Sequence, residues 1–233
     1  MLATYKEIVT QLKRQSGTGN KAQSSASYTR SQHFFYAVPV PKRREIIKAL
    51  IKNREAKELL PLTDALFKGR SHEEKTMAAM ILTYRKDVRQ LCDFSTLDSW
   101  LGELIGWAEI DAFCYNTFSA DEILTEFKSW KQFICTLAHD NNINKRRAAL
   151  VILTQPTAKS SDDRLHALAF KLILQLAPEK DILITKAISW LLRSQIDTRK
   201  EEVDEFIKMY ESKLPKIALR ETRRKLVTGK KNK

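Results

Sequence analysis

Glycine and proline are scarce, six of each in 233 residues. The Gly-rich punctuation of a multi-stranded sheet is therefore missing. Cysteine occurs three times, at Cys92, Cys114 and Cys135. The count is odd, the spacing wide, and no Cys-x-x-Cys pair exists, so neither a disulfide framework nor a cysteine zinc site follows. The four histidines, His33, His72, His139 and His166, are scattered along the chain, which argues against a metal centre or a Ser/His triad. No uncharged apolar run approaches the roughly 18 residues needed to span a bilayer. The opening MLATYKEIVTQLKRQ mixes charge into its apolar positions, unlike a signal peptide. Acidic residues are also short: 28 Asp and Glu against 41 Lys and Arg, a net charge of +13. Such an excess favours a polyanionic partner, nucleic acid ahead of an anionic membrane surface. The expectation is a soluble, intracellular (cytoplasmic) protein.

What remains is helix-forming. Leu, Ile, Ala, Lys, Arg and Glu dominate, and 43% of the residues are hydrophobic, enough for a packed core. Leu2, Tyr5, Ile8, Val9 and Leu12 recur at helical spacing. The polar stretch 16–27 reads as a loop, and HFFYAVPVP (33–41) as an extended turn set by its two prolines. Beyond it, about twelve helices are expected and no strand. Ser71 is a helix cap before an acidic first turn, Asp121-Glu122 and Ser161-Asp162-Asp163 mark further starts, and Pro61, Pro156, Pro178 and Pro215 fall in first turns or connections.

A repeat runs through these helices. KTMAAMIL (75–82), EIDAFCYN (109–116), RRAALVIL (146–153) and TKAISWLL (185–192) share an alanine phase at Ala78, Ala112, Ala148 and Ala187, with Glu221 of LRETRRKL at the same phase. The steps are 34, 36, 39 and 34 residues, the scale of a stacking helical hairpin. One position earlier stand Met77, Asp111, Arg147, Lys186 and Arg220. If equivalent phases line one surface, Asp111 sits in a row of cations. Glu103, Trp107 and Asp111 are four apart, so one helix would put them on one face. Taken alone, a Trp beside an acid reads as easily as a core aromatic next to a solvated carboxylate.

The ordered set of segments resembles the HEAT-like-repeat alkylpurine DNA glycosylases, the AlkC/AlkD group. The matching pieces are Trp107-x-x-x-Asp111, Arg147-Ala148-Ala149, KAISWLLR from Lys186 to Arg193, Tyr28 before HFFY, Pro41-Lys42-Arg43-Arg44, and Leu219-Arg220-Glu221. They cover most of the chain in order. The sequence departs at Ala108, where the group often has a second acid, and at Ala37, where a glycine is usual. The resemblance implies an all-α fold: a right-handed α-solenoid of HEAT-like helical hairpins with a concave basic surface, one domain over 1–228 and a basic tail over 229–233.

It also implies hydrolysis of the N-glycosidic bond of cationic N3- or N7-alkylated purines in duplex DNA, by a monomer without cofactor or metal. Such a base leaves without prior protonation, so one carboxylate suffices to stabilise an oxocarbenium-like sugar and orient water. Asp111 is that carboxylate, with Trp107 and Arg147 beside it. Tyr28 and Trp190 are candidate lesion contacts, and Lys186, Arg193 and Arg220 candidate backbone contacts. Tyr28 and Trp190 read equally well as structural aromatics, and Arg147 as an ordinary helix cap or pair. Trp100 and Trp130 read as core. The rival readings are a helical DNA-binding protein without catalysis and a scaffold for acidic protein partners.

Overall fold

The computed structural model describes residues 2–17 and 26–230, apart from the side chains of Leu2 and Ala3. Most of the loop expected over 16–27 and the end of the tail lie outside the described residues. Helices account for the secondary structure, and the only β pairing among the described residues is one isolated parallel bridge between Phe34 and Ser71. The chain divides into two compact units, residues 1–113 and 114–233.

The first unit holds α1 (Leu2–Arg14), a single helical turn over 26–29, α2 (Val40–Ile51), α3 (Ala56–Phe67), α4 (His72–Tyr84), the one-turn α5 (Lys86–Arg89), α6 (Phe94–Gly102) and α7 (Trp107–Cys114), whose last residue opens the second unit. Pro61 lies inside α3 rather than in a first turn or connection. Helix α4 is the centre. It packs on α2 and α3, and α1 packs on α3. Its interior face, Met77, Ala78, Ile81 and Leu82, meets no solvent. Phe67 stacks on Trp100 at 4.8 Å and meets Phe113 edge-on at 5.6 Å, and Trp100 donates its indole N–H to Asp64 at 3.0 Å. Trp100 is thus core, as expected.

The acidic first turn of α4 does not face solvent. His72, Glu73, Glu74 and Lys75 are all buried. Buried charge is tolerated only when partnered, and each carboxylate has a task. Glu74 closes a capping box with Ser71 and accepts the Tyr5 hydroxyl. Glu73 accepts the amides of Tyr36 (3.0 Å) and Val38 (3.2 Å). Lys75 donates to the Phe67 carbonyl at 2.6 Å. The two bonds to Glu73 fix the extended 34–38 segment against the helix start. Ala37 lies there with φ 58°, a left-handed conformation that glycine adopts without strain and alanine does not. The glycine-to-alanine departure at 37 therefore falls where the backbone asks for glycine.

The second unit holds α8 (Ala120–Thr125), α9 (Phe127–His139), α10 (Ile143–Val151), α11 (Thr154–Lys159), α12 (Asp163–Leu176), α13 (Ile182–Gln195), α14 (Lys200–Met209) and α15 (Lys216–Thr228). The pairs α9/α10, α12/α13 and α14/α15 are hairpins, and their second helices pack in succession, α10 on α13 and α13 on α15. This is why the alanine phase recurs from Ala148 to Ala187 and on to Glu221. Polar ties between successive hairpins span 32 to 37 residues: Gln175 to the Ala138 carbonyl, Arg147 to the Leu183 carbonyl, Arg146 bidentate to Glu179, and Ser189 to Glu221. Ala148 and Ala187 are fully buried at the packed phase. Small side chains there let the second helices approach closely. Helix α15 ends at Thr228, and Gly229 caps it with φ 69°, its N–H bonded to the Lys225 carbonyl.

Candidate functional site

The start of α7 is built by a glycine. Gly106 has φ 81°, which ends the preceding turn and re-aims the chain. Glu103 is therefore the C-cap of α6 and not part of the helix that carries Trp107 and Asp111. The expected three-residue face is corrected to two, and Glu103 pairs with Lys75 at 3.6 Å. An added Cβ at Gly106 would lie 2.4 Å from the Thr29 carbonyl oxygen and 2.7 Å from the Arg30 carbonyl carbon. The backbone at 29–30 is thus pressed onto the helix start.

Trp107 and Tyr28 meet across this junction. The Trp107 indole N–H donates to the Tyr28 carbonyl at 2.8 Å. The rings stand edge to face, 5.1 Å between centroids at 90°. Tyr28 remains 73% exposed, so the pair presents an aromatic wall rather than a buried plug. One helical turn on, Asp111 is half-buried. The Tyr28–Trp107 pairing, separated by 79 residues in sequence, joins two of the predicted site residues.

Glu109 carries no marker in the sequence. It stands between Trp107 and Asp111 in sequence, is buried, and accepts from three chain segments: the Ser31 hydroxyl at 2.6 Å, Nδ1 of His33 at 3.0 Å, Nδ1 of His72 at 3.0 Å and the Ile105 amide at 2.9 Å. Burial alone would raise its pKa. The bonds from His33, His72, the Ile105 amide and Ser31 outweigh it and hold the carboxyl at about 2. Two of the histidines that lie far apart in sequence, His33 and His72, therefore converge on one carboxylate. No local signal marked this, because the partners lie 37 and 76 residues away. Ala108, the site of the missing second acid, is half-buried, and the polar support of this helix comes from 109 instead. No group of three or more His, Cys, Asp or Glu is arranged to hold a metal among the described residues.

In the second unit, Lys186 and Arg220 are exposed and Trp190 is half-buried. Trp190 packs on Tyr115 at 4.9 Å, a partner that sequence spacing did not suggest. Arg220 lines an open groove of about 960 Å³ with Lys180, Lys213, Lys216, Arg223 and Glu211. Arg147 and Arg193 behave differently. Arg147 is 4% exposed and donates to the Leu183 carbonyl at 2.6 Å. Arg193 lies 3.4 Å from Glu221 and donates to Ser189, and burial lowers its pKa against the raising effect of Glu221. Both tie successive hairpins together. The phase before the alanine is therefore mixed, with Met77 and Arg147 buried and Lys186 and Arg220 exposed.

The sequence model of a family described as DNA alkylation repair enzyme matches residues 9–226. The chain belongs to the DNA alkylation repair enzyme family. Membership carries a role in alkylation repair and DNA as the partner. A solved structure described as a predicted DNA alkylation repair enzyme from Enterococcus faecalis aligns over 91% of this chain and 98% of its own, with TM-score 0.76 and 20% identity; at that identity the likeness shows a shared all-helical fold. None of the curated proteins matches. No helix among the described residues is long and apolar enough to cross a membrane.

Proposed function

We propose that the protein is a monofunctional DNA glycosylase that removes cationic N3- and N7-alkylated purines from duplex DNA. The observation that carries this reading is the first two turns of α7: a carboxylate, Asp111, one turn beyond an exposed aromatic wall made by Trp107 and Tyr28. The chemistry asks for little more. The alkylated base is already positive and departs as a neutral purine, taking the electron pair of its bond to C1′. Positive charge develops on the deoxyribose, and an anion held nearby stabilises it. Water adds to C1′, and its proton passes to Asp111 or to solvent. The aromatic wall excludes water from one side, strengthening the field of the carboxylate, and offers a surface for the damaged nucleotide.

Backbone contacts fall first to Lys186 and Arg220, which are exposed. They position DNA without reading its sequence. Arg147 and Arg193 reach a phosphate only by giving up part of their present contacts to the protein. Trp190 with Tyr115 offers a second aromatic surface. The enzyme is proposed to act as a monomer; it is proposed to need no cofactor, since water is the sole co-reactant.

The test is incubation with N-methylated duplex DNA and chromatography of released bases. The chain should release 7-methylguanine or 3-methyladenine, and Asp111→Asn should lower the single-turnover rate by about 100-fold or more, with DNA affinity and its salt dependence retained. Equal rates for the variant and the parent remove Asp111 from catalysis. DNA binding without any release by the parent chain favours a non-catalytic DNA-binding protein instead.

A further inference from the structure

We propose that Glu109 is a positioning residue that docks the 28–33 segment onto the first turn of α7 and so sets the Tyr28–Trp107 wall beside Asp111. Three separate observations meet at this junction. Glu109 gathers Ser31 and His33 from the segment, His72 from α4 and the Ile105 amide from the helix approach. Trp107 binds the Tyr28 carbonyl. Gly106 lets the 29–30 backbone come closer than any side chain would allow. Nothing in the chemistry of the reaction needs Glu109 to touch DNA, and its side chain is fully buried. Its effect passes through the aromatic pair.

The carboxylate is suited to this because both of its oxygens accept. Oε1 takes Ser31 and His72, and Oε2 takes His33 and the Ile105 amide. A glutamine has the same shape but turns one oxygen into an N–H donor facing other donors. Glu109→Gln therefore breaks the junction with almost no change in volume. The consequence for the rate rests on the glycosylase reading; the docking itself does not.

The experiment uses the full chain carrying Glu109→Gln, with Ser31→Ala as a milder variant that removes a single donor. Two readouts are taken. The first is the indole N–H resonance of Trp107 in ¹H–¹⁵N spectra, assigned by its loss in Trp107→Phe. The second is single-turnover release of 7-methylguanine from methylated duplex DNA, beside affinity for undamaged duplex. The Trp107 resonance should move in both variants while those of Trp100, Trp130 and Trp190 stay. Release should fall about ten-fold or more in Glu109→Gln, with unchanged affinity for undamaged DNA. An unmoved Trp107 resonance in a folded variant overturns the proposal, as does a parental release rate from an active parent. If the parent chain releases no base, the glycosylase reading fails and the docking is judged on the resonance alone. If Glu109→Gln does not fold, Ser31→Ala decides.

Discussion

Alanine at position 106 would need space that another piece of backbone occupies. Its Cβ would fall 2.4 Å from the Thr29 oxygen and under 3 Å from the Arg30 carbonyl. A flexible side chain could swing away from such a contact; a carbonyl in a docked segment moves only with the segment. The position also sits at φ 81°, where an L-residue is strained by roughly 1–2 kcal/mol. Shifting 29–30 further endangers the Trp107–Tyr28 bond, worth about 1 kcal/mol net. Gly106→Ala should therefore lose about 2–3 kcal/mol of stability. Gly229 provides the control. It has a comparable left-handed φ of 69°, yet nothing stands within 4 Å of its added Cβ, so Gly229→Ala should show the strain without the collision, about 1 kcal/mol. Urea unfolding followed by tryptophan fluorescence measures both, and the midpoint should move while the slope stays constant. Equal losses for the two variants, or a loss below about 0.5 kcal/mol at 106, would refute the claim that the 29–30 backbone is pressed onto α7.

Two further outcomes follow from the same region. Ala37→Gly should stabilise the protein, because relief of left-handed strain at φ 58° exceeds the added freedom of glycine in the unfolded chain; the net gain is about 0.5–1 kcal/mol, read as a rise in Tm, and a fall would contradict the assigned conformation. Acid should weaken the first unit through Glu109. Its carboxyl lies at about 2 in the folded protein against an ordinary 4.5, so between those values the unfolded state binds the extra proton. The stability it contributes is fully present above pH ~4.5 and is lost as pH falls toward 2, on the order of 3 kcal/mol. Glu109→Gln should flatten that part of the stability–pH curve, and an unchanged curve would argue against the buried ionised carboxylate.

Much of the fold was legible along the chain because it depends on short-range periodicity. Apolar residues at helical spacing, the Ser71 cap and the 34-to-39-residue alanine phase each report on one helix or on the next hairpin; the structure places the helices and the cap accordingly, and in the second unit it stacks the helices that carry Ala148, Ala187 and Glu221. Spacing misleads where the chain bends without a local signal. Glu103, Trp107 and Asp111 have the right spacing for one face, but a single left-handed glycine separates the first from the others. The acidic first turn of α4 reads correctly as a helix start, but only the folded chain supplies the donors that bury its charges.

The sequence by itself determined that the protein is helical, basic and repetitive, because composition and spacing act over a few residues and need no knowledge of distant neighbours. Only the tertiary structure decided which polar groups became partners. Ser31, His33, His72 and Glu109 look unrelated in order, and Tyr28 lies 79 residues from Trp107. Hydrogen bonds act over about 3 Å, so their meaning depends on which segments the packed helices bring to that range.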